Sequence, residues 1–415
     1  MKIAIATPVF YPMINGVAMF SYNLARGLVA KGHEVLVLTA SQNGYRHTDE
    51  LDGVKVVYLS STDLKVYPDQ IHEVPKKKLF YKNGLKASIF PSRQIKRALS
   101  AFRPDVVHVQ GSDPIGVAVV SFARKNRIPV VTTEHNQPEV LTQSLMMPGV
   151  MRKPINHMLS SYFIKRQKMS DYITMPTKLA IDNLFGNNKP TVPIEAVSNG
   201  VDLTEFGPGR PDEKIYAKYN IPDDVKTVLY VGRVDPEKKI GVMLRAFADF
   251  LYRAKSNGID KLSKTLFVVV GDGVDKSRLE NEAFNMGISD SVRFLGKITG
   301  PDLAEVYKIG TVFATASEIE TQGIVLIEAA ASGLPLIAVD AGAVAEICKN
   351  GENGFLIKPG DVASMSGAIE RILTDRELRK TMSLKSVEIA EGHSLDKTVD
   401  KFIEIYQKVC YNRGS

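Results

Sequence analysis

The stretch TVLYVGRVDPEKKIGVMLRAFADFL, residues 227–251, holds a strand, a loop and a helix in immediate succession. Thr227–Val231 is rich in β-branched and aromatic residues, which is typical of a strand. Ile240–Leu251 repeats apolar residues at the three- and four-residue spacing of a helix. The loop between them begins with Gly232 and is rich in charge. A strand that leads directly into a helix is the repeating unit of parallel α/β sheets, so this stretch predicts the fold class.

The same alternation runs on both sides of this stretch. Further strands are predicted at Lys2–Thr7, Glu34–Thr39, Asp105–Val109, Val130–Thr133, Thr265–Val270, Val292–Leu295, Val312–Ala314 and Pro335–Val339, and further helices at Val17–Ala30, Ser277–Met286 and Gly323–Ala331. Two such series imply an α/β fold with two Rossmann-like, doubly wound parallel sheets. Because these sheets bind ligands at the carboxyl ends of their strands, we expect the two domains to face each other across a ligand-binding cleft.

The domain boundary is predicted at Ser198–Pro211, SNGVDLTEFGPGRP, which is rich in Gly and Pro. Residues 1–200 are expected to form the first domain and residues 201–393 the second. The final segment, 394–415, contains a helix predicted at Ser394–Val409 that follows a Gly-His-Ser break. We expect this segment to pack back on the first domain.

Composition limits the class of protein. Of the 415 residues, 44% are apolar and 24% are charged, as in soluble globular proteins. Two cysteines provide no disulfide framework and fit a reducing cytosol. No apolar run reaches the ~18 residues that a membrane-spanning helix needs. No grouping has metal-ligand spacing, so neither a metal nor a cofactor is expected.

The net charge of +7 is unevenly divided along the chain. The first 200 residues carry 25 Lys and Arg against 14 Asp and Glu, whereas the remainder carries 28 against 32. The first half is therefore net +11 and the second net −4. This asymmetry indicates a polyanionic partner for the first half, either an anionic membrane surface or a nucleic acid.

The loop after Val231 offers candidate phosphate-binding residues. Arg233 can donate two parallel hydrogen bonds to a diphosphate, and Lys238 can attract it as a compact positive charge. A solvated basic loop would have the same sequence, and the residues alone leave both interpretations open. Gly271 and Gly273, in VVVGDGVDK, match a GxGxxG motif only in part, and they favour a tight turn at the cleft.

Two histidines are predicted at the carboxyl ends of strands. His108 ends the strand in PDVVHVQ, and His135 follows the strand in VVTTEHNQPE. A lone histidine is more often structural than catalytic, and the polar neighbours of His135 favour it as the functional one. Gly16 ends the first strand–helix loop, where a glycine lets a backbone N–H approach a phosphate, although a plain turn glycine would look the same.

The stretch EIETQGIVLIEAAASG, Glu318–Gly333, places two carboxylates in apolar surroundings. Buried ionised carboxylates are unfavourable unless they are paired. Glu320 is expected where a strand passes into a loop, and Glu328 in the first turns of the helix that opens near Gly323. We expect both to point into the cleft.

Together these segments resemble the family-4 retaining glycosyltransferases, which have the GT-B fold. The matching segments occur in the family's order and span nearly the whole chain: INGV, PDVVHVQ, VSNGVD, GRVDPEKK, VVVGDG, VRFLG, EIETQGIVLIEAAASGLPLIA and NGENGFLIKPGD. The pair Glu320 and Glu328, eight residues apart, is the most specific of these matches.

The resemblance implies a role for each candidate. Glu320 would accept hydrogen bonds from the donor sugar, Glu328 from the nucleotide ribose, and His135 would lie beside the transferred sugar. Arg233 and Lys238 match the pair that binds the donor diphosphate. The other implied positions are Gly16, Gly323, Ile324 and Val325 at the diphosphate, and His108, Asn199, Gly271 and Gly273 in the cleft. Cationic side chains and helix N–H groups would stabilise the leaving diphosphate without a metal.

One departure from the family pattern bears on the substrates. Thr321-Gln322 precede Gly323, where an aromatic residue is common, and ETQG resembles the branch that glycosylates membrane diacylglycerol, several of whose members use UDP-glucose. The resemblance thus implies a hexosyltransferase that forms an α-glycosyl lipid. A GDP-mannose-dependent α-mannosyltransferase, acting on a phospholipid or polysaccharide, is the alternative. The smaller departure is Gln110, in HVQ, where HVH is frequent.

Two segments of the first half mix basic and apolar residues, as binding to an anionic membrane surface requires. Lys76–Arg97 holds eight Lys and Arg and no acid, and Val140–Ser170 also lacks acids. The candidate membrane-binding residues are Lys76, Lys77, Lys78, Lys82, Lys86, Arg93, Arg152 and Lys153, with Phe90, Met146 and Met147 as apolar contacts. We expect a cytoplasmic protein held peripherally at the inner face of the cell membrane.

Other classes remain open from the sequence. Another GT-B enzyme, such as a phosphorylase or a nucleotide-sugar epimerase, is the nearest rival. A nucleic-acid-binding protein that uses the basic first half is the rival from another class, but no recognised nucleic-acid module is present, so that partner is not expected. The donor sugar, the acceptor and the oligomeric state are not decided by the sequence.

Overall fold

The structure, a computed structural model, describes every residue except 14, 64–85, 136–137, 139–141, 143–148, 187–188, 259–261, 263 and 415. The chain divides into two compact units. Unit 1 comprises Met1–Gly200 together with Leu395–Ser415, and unit 2 comprises Val201–Ser394. The chain therefore leaves unit 1 once and returns to it for its last helix.

Unit 1 is built on a sheet of eight strands with the order β10-β9-β8-β7-β1-β2-β4-β3. The strands are β1 (Lys2–Ala6), β2 (Glu34–Ala40), β3 (His47–Leu51), β4 (Val54–Leu59), β7 (Val106–Val109), β8 (Val130–Thr133), β9 (Tyr172–Met175) and β10 (Ile194–Ala196), while β5 (Thr62–Asp63) and β6 (Lys86–Ala87) pair separately. Only the edge strand β3 runs antiparallel to its neighbour in the large sheet. The helices are α1 (Gly16–Ala30), α2 (Ser92–Phe102), α3 (Pro114–Lys125), α4 (Gly149–Gln167), α5 (Lys178–Phe185) and α13 (Leu395–Gly414).

Helices cover both faces of this sheet. On one face, α1 and α13 pack with the strand residues Ile3 and Val37 in a common core. On the other face, α2 and α3 pack with Leu36 and Leu38. Because β1, β2, β7 and β8 are buried on both sides, they are continuous apolar runs, which is why the sequence predicts them.

Unit 2 is built on a sheet of six parallel strands with the order β13-β12-β11-β14-β15-β16. The strands are β11 (Thr227–Val231), β12 (Leu266–Val270), β13 (Val292–Gly296), β14 (Val312–Thr315), β15 (Leu336–Val339) and β16 (Gly354–Ile357). The helices are α6 (Glu213–Lys218), α7 (Ile240–Ser256), α8 (Lys276–Asn285), α9 (Pro301–Ile309), α10 (Ile324–Ala331), α11 (Val362–Thr374) and α12 (Arg376–Glu391). The strand order reverses beside β11, and such a switch point is where doubly wound sheets bind ligands.

Candidate functional site

The loops that follow β11 and β12 in unit 2 lie against each other. The Gly232 N–H donates to the Val270 carbonyl at 2.9 Å, and the Val234 N–H donates to the Asp272 carbonyl at 3.0 Å. A Cβ atom on Gly271 would lie 1.8 Å from the Gly232 carbonyl oxygen, so only glycine permits this approach. The packing of the two loops accounts for Gly271 and also for Gly273, whose Cβ would lie 2.2 Å from the Val234 carbonyl oxygen.

The loop after β11 carries the two predicted phosphate-binding cations, Arg233 and Lys238, and each of them pairs with carboxylates. Arg233 pairs with Asp235 and with Glu237, while its own side chain stays 56% exposed. Lys238 Nζ lies 2.7 Å from Glu320 Oε1, and both of these side chains are largely covered. The structure therefore brings Lys238 to Glu320, which lies 82 residues later in the sequence.

Glu320 lies on the loop between β14 and α10, and a second loop supports it. The Ala343 N–H donates to the Glu320 carbonyl at 3.2 Å. Gly342 has φ +57°, and a Cβ there would lie 3.0 Å from the Glu320 carbonyl oxygen and 3.2 Å from its nitrogen. The 3₁₀ turn at Gly342–Glu346 thus packs against the backbone of Glu320 and supports it.

Glu328 lies within α10 and contacts a buried tyrosine. Tyr307, on α9, donates its hydroxyl to Glu328 Oε2 at 2.7 Å. Burial raises the pKa of Glu328 to about 7, although the Tyr307 hydrogen bond opposes the rise. The helix begins at Ile324, and Gly323 precedes it in the left-handed conformation with φ +81°, whereas the sequence predicts the helix from Gly323. The first turn of this helix contains Ile324 and Val325.

In unit 1, His135 follows β8 and is oriented by two neighbours. Its Nε2 lies 2.8 Å from Gln110 Oε1, so this nitrogen carries the proton and donates it to the amide oxygen. The Phe20 ring meets the imidazole edge-on with 4.9 Å between centroids. Burial lowers the pKa of His135 to about 4, so the ring is neutral at neutral pH. Phe20 and Gly16 belong to α1, whose N-terminus is capped by Asn15.

The sequence predicts His108 in the ligand cleft, and the structure places its side chain in the interior of unit 1. The ring is fully buried, and its Nδ1 and Nε2 lie 2.7 Å from the hydroxyls of Tyr406 and Thr133. Burial lowers its pKa to about 3. His108 therefore ties β7 to α13 and β8 in the core, and a ligand would have to displace these contacts to reach it. Asn199, also predicted in the cleft, is buried just before the chain leaves unit 1.

The candidate membrane-binding residues divide into two groups. Lys76, Lys77, Lys78 and Lys82, together with Met146 and Met147, lie outside the described residues. Among the others, Arg93 and Lys153 are exposed, and Arg152 is half-buried. Lys86 does not fit the prediction of an open cation, because it is mostly covered and its amine lies 3.5 Å from Asp63.

Apolar side chains are exposed near these cations. Phe90, which precedes α2, is 89% exposed, and Met158 on α4 is 62% exposed. Within the part of the chain that the structure describes, no helix is both long and apolar enough to cross a bilayer. The described residues also contain no group of three or more His, Cys, Asp or Glu that could hold a metal ion.

Three positioning residues were missed at the level of sequence. Gln110, Tyr307 and Gly342 each contact a candidate site residue, and none of them is among the site residues that the sequence predicts. The sequence does draw attention to Gln110, because it lies two positions after His108 in HVQ, where the related proteins frequently have HVH. Tyr307 and Gly342 come close to their partners only through the tertiary fold.

Comparisons with known proteins place the chain among sugar-transferring enzymes. The family model described as glycosyltransferase family 4 matches residues 14–205, and the model described as glycosyl transferases group 1 matches residues 211–386. The alpha-monoglucosyldiacylglycerol synthase of Streptococcus pneumoniae is 30% identical over 348 residues, which cover 81% of this chain and 71% of that protein.

Two further relatives match over nearly their whole length. A GDP-mannose-dependent alpha-mannosyltransferase of Mycobacterium tuberculosis is 27% identical, with 98% of this chain and 97% of that protein covered. The alpha-monoglucosyldiacylglycerol synthase of Acholeplasma laidlawii is 26% identical, with 99% and 96% covered.

Solved structures show the same fold. Sucrose-phosphate synthase from Thermosynechococcus elongatus superposes with a TM-score of 0.75 at 20% identity, with 98% of each chain covered. Anabaena HepE in complex with UDP-glucose superposes with a TM-score of 0.71 at 15% identity, with 98% of this chain and 100% of that chain covered. The fold is therefore GT-B, as the sequence predicts.

Proposed function

Because this chain belongs to glycosyltransferase family 4, we propose that it transfers glucose from UDP-glucose to the hydroxyl of membrane diacylglycerol with retention of the α configuration. Unit 2 would hold the nucleotide sugar, and unit 1 would supply the acceptor-binding, membrane-facing surface. The proposal names Glu320 and His135 as the residues beside the transferred sugar. It assigns the ribose to Glu328 and the diphosphate to Arg233, Lys238 and the first turn of α10.

The observation that carries the proposal is the 2.7 Å contact between Lys238 and Glu320. A nucleotide sugar presents a diphosphate directly beside a hydroxyl-rich ring. A cation and a carboxylate side by side match these two parts in charge and in hydrogen bonding. Binding would replace the internal ion pair by two pairs, with Lys238 on the diphosphate and Glu320 on sugar hydroxyls. Lys238 and Glu320 would therefore each have a hydrogen-bonding partner in the empty site and in the occupied site.

Electrostatic stabilisation of the leaving group is the main proposed source of catalysis. As the glycosidic bond to the diphosphate breaks, negative charge grows on the phosphate oxygens. Arg233, Lys238 and the positive end of the α10 dipole at Ile324 would lie where this charge develops. These groups would serve in place of a metal ion. His135, neutral and fixed by Gln110, would offer a hydrogen-bonding partner to the sugar without adding charge.

The choice of acceptor rests on the relatives and on the surface of unit 1. Two relatives that this chain resembles are alpha-monoglucosyldiacylglycerol synthases. Exposed Phe90 and Met158 near exposed Arg93 and Lys153 would suit a protein that lies on an anionic bilayer. Such a location brings the enzyme to a lipid that cannot leave the membrane without a large hydrophobic penalty.

A second donor is supported by a specific observation. The mannosyltransferase relative matches nearly its whole length, so GDP-mannose with a phospholipid or polysaccharide acceptor is the alternative. Both possibilities use the same diphosphate-binding residues and differ in the base, the hexose and the acceptor.

A panel of donors tests the proposal. Thermal unfolding is measured with UDP-glucose, UDP-galactose, GDP-mannose, UDP and GDP, each with EDTA and with added Mg²⁺. We expect UDP-glucose to stabilise the chain most, with EDTA having no effect, and Arg233→Ala or Lys238→Ala to abolish the shift. Stabilisation that requires Mg²⁺ would contradict the metal-free site, and a preference for GDP-mannose would replace the proposed donor.

A further inference from the structure

Four polar side chains form a row at the carboxyl ends of β7 and β8 in unit 1. His108 lies in β7 and Gln110 directly follows that strand, so the two side chains lie on the same face of the sheet. Thr133 and His135 hold the equivalent positions at the end of β8. Gln110 is 1% exposed, and its amide oxygen lies 2.8 Å from His135 Nε2. The other end of this amide faces His108.

The amide nitrogen of Gln110 lies over the face of the His108 ring. Hydroxyl groups already bond both ring nitrogens, with Tyr406 2.7 Å from Nδ1 and Thr133 2.7 Å from Nε2. Gln110 Nε2 lies 3.4 Å from Nδ1 and 3.3 Å from Nε2 of the same ring. A nitrogen at nearly equal distances from both would collide with ring carbons if it lay in the ring plane. The contact is therefore of the N–H···π kind.

This contact determines which way the Gln110 amide points. The face of an aromatic ring carries partial negative charge, so it attracts an N–H group and repels a carbonyl oxygen. Within the described part of the chain, the amide has no hydrogen-bonding partner other than His108 and His135. The NH₂ end therefore stays on His108, and the oxygen end stays on His135.

The direction of the amide in turn sets the tautomer of His135. The amide oxygen can only accept, so His135 Nε2 carries the proton and Nδ1 keeps its lone pair. A reversed Gln110 amide would donate to Nε2 and would move the proton to Nδ1. The two orientations therefore present opposite hydrogen-bonding groups on the ring.

We propose that His108 is a positioning residue for His135, because its ring face orients the Gln110 amide and thereby selects the Nε2-protonated tautomer. Beside a sugar, His135 would accept a hydrogen bond from a hydroxyl through Nδ1 and would not donate one there. This consequence rests on the proposed function, whereas the tautomer is a property of the empty chain. Helix α13 contributes to the device, because Tyr406 and Phe402 both pack on the His108 ring.

His108→Phe and His108→Leu distinguish the positioning role from a purely structural one. Both changes remove the bonds to Tyr406 and Thr133, so we expect similar losses in melting temperature. Only phenylalanine keeps an aromatic face beneath the Gln110 amide. We therefore expect His108→Phe to keep the wild-type tautomer of His135, and His108→Leu to give a mixture with the Nδ1-protonated form.

NMR of the full chain labelled with ¹⁵N-histidine measures the tautomer at pH 8 without any donor. Two-bond ¹H–¹⁵N correlations distinguish the two tautomers, and the His135 signals are those lost in His135→Gln. A second measurement uses the wild-type chain and holds even where His108→Leu does not fold. The Gln110 side-chain amide protons, identified by their loss in Gln110→Met, should be shifted upfield by the His108 ring current.

Sugar transfer gives an independent readout. We expect kcat/KM with UDP-glucose to be about tenfold lower in His108→Leu than in His108→Phe, because a misplaced hydrogen bond weakens the transition-state contact. The expected tautomers without any transfer in the wild type would support the positioning role and contradict the proposed function.

Three results would overturn the inference. These are a single wild-type tautomer in His108→Leu, equal tautomer mixtures in the Phe and Leu variants, and Gln110 amide protons without an upfield shift. The first two would leave His108 as a core residue only, and the third would show that the amide does not lie on the ring face.

Discussion

Single residues in unit 2 show that the charges of the candidate donor site are paired before any ligand arrives. Lys238 and Glu320 pair at 2.7 Å, and Arg233 pairs with two acids of its own loop. A covered lysine or carboxylate without a partner would be unfavourable, so these pairs stabilise the empty site. The proposed donor must exchange them for its own contacts, which links recognition of the sugar to recognition of the diphosphate.

Glu320→Gln tests this exchange. We expect sugar transfer to fall about 10- to 100-fold, the effect of losing one hydrogen bond to a charged group. Affinity for UDP should not fall, because the change frees Lys238 from its internal partner. Glu318→Gln, two residues away and exposed, is the matched control. Calorimetry that finds UDP binding lost in parallel with transfer would refute the exchange.

Glu328→Gln tests the carboxylate with the raised pKa. The folded chain keeps this proton up to about pH 7, whereas an unfolded glutamate releases it near pH 4.5. The folded state therefore loses stability relative to the unfolded state as the pH rises through this window. We expect Glu328→Gln to stabilise the empty chain by about 1–2 kcal/mol at pH 8, allowing for solvent screening, and little at pH 4.5.

Denaturant unfolding at both pH values checks this expectation. The same gain at pH 4.5 and pH 8 would show that the ionisation of Glu328 is not the cause. UDP binding to Glu328→Gln should also be weaker than to the wild type at pH 8, where the proposed ribose contact needs an ionised carboxylate.

At the scale of elements, the turn at Gly342–Glu346 supports the loop that carries Glu320. Gly342 needs a left-handed φ and also leaves no room for a Cβ beside the Glu320 backbone. Gly351 has a similar left-handed conformation, with φ +82°, but open space around it. A substitution at either glycine would strain the backbone, but only a substitution at Gly342 would also displace the Glu320 loop. Comparing the two positions therefore distinguishes these effects.

Gly342→Ala and Gly351→Ala form a matched pair. Both should lose about 1–2 kcal/mol of stability from the left-handed conformation. Only Gly342→Ala should also lower sugar transfer, by about tenfold, because only there must the Glu320 loop move. Melting temperatures and turnover measured side by side test this, and equal turnover in the two variants would remove the positioning role of Gly342.

The elements also show which parts of the fold a sequence can predict. The buried strands β8 and β11 were predicted at their observed bounds, because strands covered on both faces are continuous apolar runs. The edge strand β3, HTDEL, was not predicted, because it is largely exposed and carries no apolar alternation. β3 is a strand because its backbone forms hydrogen bonds with β4, and its own side chains do not indicate this pairing.

The identities of the candidate site residues follow from the sequence, but their arrangement does not. Glu320, Lys238 and Arg233 follow from motifs, and their assembly follows from the topology of the parallel sheet. His108 and His135 have similar sequence contexts, yet one is a core residue and the other is held by Gln110. Only the tertiary contacts of α1 and α13 separate them, and no local pattern contains that information.

At the scale of the whole molecule, charge and exposed apolar side chains concentrate in the unit proposed to meet the membrane. The first 200 residues are net +11, and Phe90 and Met158 are exposed there. The last helix returns to the same unit, where Lys31 pairs with Asp396 and Asp400. The chain thus completes unit 1 only after the whole of unit 2 has been made.

The product of the proposed reaction provides the most direct test. The full chain is incubated in EDTA with UDP-glucose and vesicles that contain phosphatidylglycerol and diacylglycerol, and the extracted lipid is examined by NMR. We predict one new glycolipid whose glucose is α-linked to the diacylglycerol hydroxyl, and about 10- to 100-fold less of it with Glu320→Gln. A β-linked product would contradict the retaining reaction, and hydrolysis of UDP-glucose with no glycosylated lipid would contradict the lipid acceptor.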